Sequence, residues 1–235
     1  MFAARSFTDM KKKWGYAYSA LALFFVFILY HTATRGAILG LIGGMGVTTL
    51  LVLIFERKNK VLRISCGVIL GLGIATVLGF LAIKNTSFVR ESPVLSRFAS
   101  ISLNDGTTKS RFMVWDMAWQ GFKERPILGW GQENFSYVFN KYYNPGMYAQ
   151  EQWFDRTHNV VFDWLIAGGI FGLLAYLFLF GSALWSLWKS PEETFSFTEK
   201  SVMSGLFVAY FIHNFFVFDN LTSYMIFVTM LAYVH

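Results

Sequence analysis

The sequence predicts an all-α membrane protein of about six transmembrane helices, with a large, mostly helical outer loop between the third and fourth. Three observations predict it. Uncharged apolar runs recur at the length of a bilayer crossing, about 20 residues. Lys and Arg gather at the ends of those runs. Only 14% of the residues are charged, where a soluble domain carries about a quarter.

The apolar runs place spans at 14–30, 36–55, 61–83, 159–188, 201–218 and 221–235. Arg5, Lys11, Lys12 and Lys13 precede the first, as in the basic region of a signal peptide. A second apolar run follows almost at once, so an uncleaved anchor is expected. The basic link 56–63 joins spans two and three. Both basic segments belong on the cytoplasmic side, with the N-terminus. The segment 190–200 then falls inside as well. The link at Thr34-Arg35, the long segment 84–157 and the link Asp219-Asn220 fall outside. Span four exceeds the length a bilayer needs and is expected to tilt or to begin outside the membrane. The last span reaches the chain end with no polar flank, as a fragment of a longer protein would. The expected organisation is three helices over 1–83, an outer loop domain over 84–157 and three helices over 158–235.

The net charge of +6 sits at span ends. It is explained by topology and does not call for a nucleic acid partner. The single cysteine, Cys66, allows no disulfide within the chain and reads as a small packing residue. Gly36, Gly40 and Gly44 lie four apart, as do Gly67 and Gly71, and Gly168, Gly169 and Gly172 follow in span four. Small residues let helix backbones approach in lipid, which serves ordinary packing and a compact bundle around a site alike.

The segment 84–157 contains Trp115, Trp119, Trp130 and Trp153, which a disordered linker would not need. Loops of this length usually carry function. Residues 110–123 read as a helix with Phe112, Trp115, Trp119 and Phe122 on one face. Such a face suits the membrane interface or the outer domain's own core. Pro126 closes the helix, and Gly129-Trp130-Gly131 reads as a tight turn. The strand and helix that a nucleotide fold would place around a Gly-x-Gly are missing. Tyr137, Tyr142, Tyr143 and Tyr148 suit a sugar-stacking wall or the headgroup level.

Five polar groups are expected on the outer side. His158 lies where the loop enters span four, within Asp155-Arg156-Thr157-His158-Asn159. An imidazole titrates near pH ~6.5, so it can take a proton from a sugar hydroxyl; a capping or interfacial histidine would look the same. Arg35, between spans one and two, and Arg111, in the loop helix, can grip phosphate oxygens with a two-pronged guanidinium. Arg35 also reads as a snorkelling arginine at a helix end, and Arg111 as a surface charge. His213 and Asp219 lie near the outer end of span five, where ionisable groups are costly. Their convergence points to a site for an anionic, phosphorylated lipid substrate.

Three segments resemble the O-antigen ligase/polymerase superfamily of bacterial membrane glycosyltransferases. Thr34-Arg35-Gly36-Ala37 looks like the family's Ser/Thr-Arg-Gly at the head of a span. Arg111 through Trp115 to Pro126-Ile127-Leu128-Gly129-Trp130-Gly131 and Phe135 is similar to its Arg…Trp…Pro-x-x-Gly-x-Gly…Phe pattern. His158-Asn159 followed by Gly169 and Gly172 resembles its His-Asn…Gly-x-x-Gly helix. Their order and the loop between them also match. Ala167 stands where many members have Glu, and one span precedes Arg35 where members usually have more.

The resemblance implies an O-antigen ligase activity, a metal-independent glycosyl transfer without a cofactor on the periplasmic face of the bacterial inner membrane. The donor would be a glycan on undecaprenyl pyrophosphate, and the acceptor a lipid A-core sugar or another glycan. Arg35 and Arg111 would bind the pyrophosphate, and His158 would be the base. His213 and Asp219 are counted with the substrate-binding groups. A polymerase of the same superfamily fits equally. A transporter would be expected to place ionisable groups at mid-membrane rather than at one surface.

Overall fold

The computed structural model describes residues 13–32, 34–99, 106–149 and 151–235. Arg5, Lys11 and Lys12, which carry the expected basic N-terminus, lie outside the described residues. Among the described residues all regular structure is helical and no strand occurs. The helices are α1 (Lys13–Thr32), α2 (Arg35–Phe55), α3 (Lys60–Ile83), α4 (Ser87–Glu91), α5 (Leu95–Ala99) and α6 (Gly106–Glu124). They continue with α7 (Phe135–Lys141), a 3-10 turn (Pro145–Ala149), α8 (Val160–Lys189), α9 (Phe197–Phe215) and α10 (Leu221–Val234).

Among the described residues four helices, α1, α2, α3 and α8, are long and apolar enough to cross a membrane, as in a multi-pass membrane protein. The two remaining expected spans are helical but differ from expectation. Helix α9 has 19 residues and carries Glu199, Lys200 and His213. It ends at Phe215, short of the expected 218, and α10 has only 14 residues. Asn220 starts α10 with a reciprocal cap: its side chain accepts from Ser223 N at 3.0 Å, and its own N–H donates to Ser223 Oγ at 2.8 Å. Helix α3 starts on Asn59, whose Oδ1 accepts from Leu62 N at 3.0 Å.

The chain forms two compact units. One joins the chain up to Ser100 with Leu187–His213, and the other joins Ile101–Ser186 with Asn214–His235.

In the first unit α2 and α9 cross antiparallel on small residues. A Cβ on Gly44 would stand 2.5 Å from Gly205 O, and one on Gly205 would stand 2.5 Å from Gly44 O and 2.0 Å from Thr48 Oγ1. Gly40 approaches Ala209 O in the same way, at 2.6 Å. Of the expected glycine series, Gly40 and Gly44 therefore work as close-approach residues, whereas a Cβ on Gly71 would meet open space. Lys200 is buried and turns its ammonium to Trp188 O, at 3.4 Å, and Ser190 O. It thereby satisfies carbonyls around the end of α8, where positive charge is favoured.

In the second unit Val114, Met117, Ala118, Phe135, Val138, Phe139, Met147, Phe154 and Ile166 form one core. Helix α6 enters it through Val114, Met117, Ala118 and Gly121. Along the expected aromatic face Phe112 and Trp119 are 46% and 47% exposed, whereas Trp115 packs against the core. The aliphatic and small residues fill the tight space beside Val138, whose methyl would stand 2.3 Å from a Cβ on Gly121. Bulky rings could not enter there.

Candidate functional site

Helix α8 is broken at Gly169, whose backbone (φ 61°, ψ −155°) is not helical. The turn after Pro126 is docked into the break. Trp130 N donates to Ile166 O at 2.6 Å, and Gly131 N donates to Ala167 O at 3.1 Å. On the far side of the break Ile170 N donates to Pro126 O at 2.8 Å. The groups freed by the break are thus paired by the loop, as irregular backbone in an apolar span requires. Both approaching backbones need glycine. A Cβ on Gly169 would stand 2.3 Å from Ile127 O, and one on Gly129 (φ 67°) would stand 2.4 Å from Ile166 O. Trp130 is anchored by its Nε1, which donates to Gly121 O at 2.9 Å, and by the Arg125 guanidinium 4.2 Å over its ring.

The turn carrying His158 lies at the head of the same helix. Asn159 caps α8: its Oδ1 accepts from Val161 N at 2.9 Å. His158 therefore stands just outside the helix and is not its cap. Its backbone is left-handed, with φ 54°, a strained conformation for a side chain of this size. Thr157 and Asn159 on either side are fully buried, and His158 itself is half-buried. Its ring meets the Phe154 and Phe218 rings edge-on, with centroids 5.4 and 5.0 Å away.

Three contacts hold the turn. Trp115 of α6 donates from Nε1 to Thr157 O at 3.0 Å. Thr157 donates from its backbone N and its Oγ1 to Asp163 Oδ1, at 2.8 and 2.7 Å. Arg156 pairs with Glu133 of the loop that leaves the α8 break. Arg111 lies one turn before Trp115 on α6, and its charge is felt at His158. Burial first, and then the Arg111 charge, hold the imidazole below its ordinary pKa, so the neutral form is favoured.

Asp219 is buried in the same unit. It accepts from Asn214 Nδ2 at 2.6 Å and from Ser223 Oγ at 3.2 Å. With Gln132, Arg156, Asp163, Trp164 and Tyr224 it lines a small open cleft. Arg111, His158 and Asp219 therefore belong to one compact unit. Arg35 and His213 belong to the other, where Arg35 opens α2 and a Cβ on Gly40, just over a turn on, would stand 3.4 Å from His213 Cβ.

Residues to which the sequence assigned no role are Thr157, Asp163, Arg156 and Asn214. A signal existed for Asp163, a carboxylate inside the first turn of an otherwise apolar run. Among the described residues no three His, Cys, Asp or Glu side chains gather as a metal ligand set would.

A comparison with curated proteins returns no match. The sequence model of the family described as O-antigen ligase matches residues 20–177. That stretch begins within α1, contains Arg35, Arg111, the docked turn, His158 and the α8 break, and spans more than half of the chain. By that match, the chain belongs to the O-antigen ligase family.

Proposed function

We propose that the chain transfers a glycan from undecaprenyl pyrophosphate to an acceptor hydroxyl at the periplasmic face of the bacterial inner membrane. The observation that carries this reading is His158, held on a buried, strained turn close enough to Arg111 to feel its charge, with its neutral form favoured. A neutral imidazole accepts the proton of the acceptor hydroxyl. The freed oxygen attacks the anomeric carbon, and the bond from that carbon to the pyrophosphate oxygen breaks. The leaving pyrophosphate gains negative charge, which a guanidinium stabilises as it develops. Arg111 serves that purpose here, and Arg35 keeps the pyrophosphate-binding role that the resemblance implies. His213 and Asp219 are assigned to substrate binding.

The docked turn supports this reading in a second way. It pairs the backbone groups at the α8 break with those of the turn, and so ties the helix that follows His158 to the loop that precedes it. Fixed donors and charges stabilise a transition state better than mobile ones do.

The test is transfer in proteoliposomes supplied with a defined lipid-linked glycan and two acceptors, a lipid A-core and a free glycan chain. The wild type is expected to form product. His158→Ala and Arg35→Ala are expected to form none while still inserting in the membrane. Product on the lipid A-core identifies a ligase, and product on the glycan chain a polymerase. Undiminished transfer by His158→Ala overturns the reading, as does solute uptake that is independent of His158.

A further inference from the structure

We propose that Asp163 is a positioning residue for His158, acting through Thr157, with Trp115 as its counterpart on the other side of the turn. The inference rests on the role proposed for His158. It starts from the strain of the turn. A side chain at positive φ costs about 1–3 kcal/mol relative to an ordinary backbone and persists only where its surroundings hold it. At His158 the surroundings act on the residue before it. Asp163 Oδ1 takes both the N–H and the hydroxyl of Thr157, at 2.8 and 2.7 Å. Trp115 takes the carbonyl of Thr157 at 3.0 Å. Both backbone polar groups of residue 157 are thus fixed by side chains from two different helices.

The geometry explains why a carboxylate sits in the first turn of an apolar helix. The Thr157 hydroxyl has one proton and two acceptors in reach, Asp163 Oδ1 at 2.7 Å and Asn159 O at 2.9 Å. The carboxylate is the shorter and stronger of the two. Thr157 is fully buried, so no water replaces the bond if Asp163 is lost. Trp115 lies one turn from Arg111 on α6. The same clamp therefore fixes the spacing between the proposed base and the cation beside it. Asp163 need not touch substrate to do this.

The test compares Asp163→Ala, which removes both bonds, and Thr157→Val, which removes the hydroxyl bond, with Asp163→Asn and Thr157→Ser, which keep an acceptor and a donor in place. Each full-length variant is assayed in proteoliposomes for transfer. Each is also assayed without substrate for carbethoxylation of His158 by diethyl pyrocarbonate, read by mass spectrometry. Asp163→Ala and Thr157→Val are expected to lose about tenfold or more in kcat with donor KM nearly unchanged, as a displaced catalytic group does. Their His158 is expected to react faster with the reagent. Asp163→Asn and Thr157→Ser are expected to match the wild type in both readouts. The proposal is overturned if Asp163→Ala matches the wild type in reactivity and kcat. It is also overturned if Asp163→Asn is as impaired as Asp163→Ala, because the charge and not the acceptor would then matter. A wild type without transfer would defeat the proposed activity, and the reagent arm would still decide the clamp.

Discussion

The backbones of Gly129 and Gly169 lie against each other at the break in α8, closely enough that a Cβ on Gly129 would stand 2.6 Å from Gly169 N. Both glycines have positive φ, 67° and 61°. The contact joins the turn after α6 to the middle of an apolar helix, and it places the Arg111 helix and the His158 turn in one unit.

Gly169→Ala is therefore expected to destabilise the second unit on two counts. Its backbone, φ 61° and ψ −155°, lies in a region that is essentially glycine's alone and costs an alanine about 1–3 kcal/mol. The new methyl would also stand 2.3 Å from Ile127 O, which is backbone and cannot swing aside. Unfolding in detergent, followed by helix content, should begin at a clearly lower temperature. A melting curve that overlays the wild type would show that the break does not need glycine.

The pH dependence of His158 follows from its burial and from Arg111. The folded-state pKa lies below the ordinary value, so the neutral ring persists to lower pH than in the unfolded chain. The stability linked to this group is complete above the unfolded value of ~6.5 and is lost as pH falls through the folded value. Carbethoxylation, which needs the neutral ring, should keep its full rate below the pH at which a free histidine slows. Arg111→Gln should move that limb upward, toward the free value. An unmoved limb would remove Arg111 from the surroundings of His158.

The crossing of α2 and α9 separates two glycines that look alike in sequence. Gly205→Ile would place its side chain against Gly44 O and Thr48 Oγ1, at 2.5 and 2.0 Å from the Cβ. Gly46→Ile would extend into open space. The first substitution is expected to lower the yield and the unfolding temperature of the membrane-inserted protein, and the second to leave both near the wild-type values. Equal effects would rule out this crossing.

Arg111→Lys keeps the charge and loses the planar fork. If the guanidinium grips a pyrophosphate, losing one charge-assisted hydrogen bond costs about 1.5–3 kcal/mol, or roughly tenfold or more in transfer. Kinetics with a defined lipid-linked donor would read this. Full activity of the lysine variant would leave Arg111 as a point charge only.

Much of the fold is legible along the chain because the property that decides it is local. The apolar runs become α1, α2, α3 and α8, and the first three need only their own residues to satisfy their backbones in lipid. The turn at Gly129-Trp130-Gly131 and the boundary at His158-Asn159 are legible for the same reason: glycine and Asn chemistry act within a few residues. The last two spans are less legible. A hydropathy run does not register that the helix stops at Phe215 and that a capping box restarts it after Asn220.

The site is different in kind. Periodicity marks the aromatic stripe of α6, yet the tight space beside Gly121 is filled by aliphatic and small residues, which depends on Val138, and only Trp115 of the stripe is seen packing on the core and holding Thr157 O. A carboxylate at Asp163 stands out in an apolar run, but its partner, Thr157 on its Oδ1, is set by the fold of the turn. The sequence by itself determined a membrane helix bundle with a tryptophan-bearing loop and a histidine at the loop's end, because hydrophobicity and turn chemistry add up residue by residue. Only the tertiary structure decided that the loop plugs a broken helix and that Trp115 and Asp163 clamp the His158 turn. Those are contacts between residues far apart in the chain, and their free energy exists only when both partners are in place.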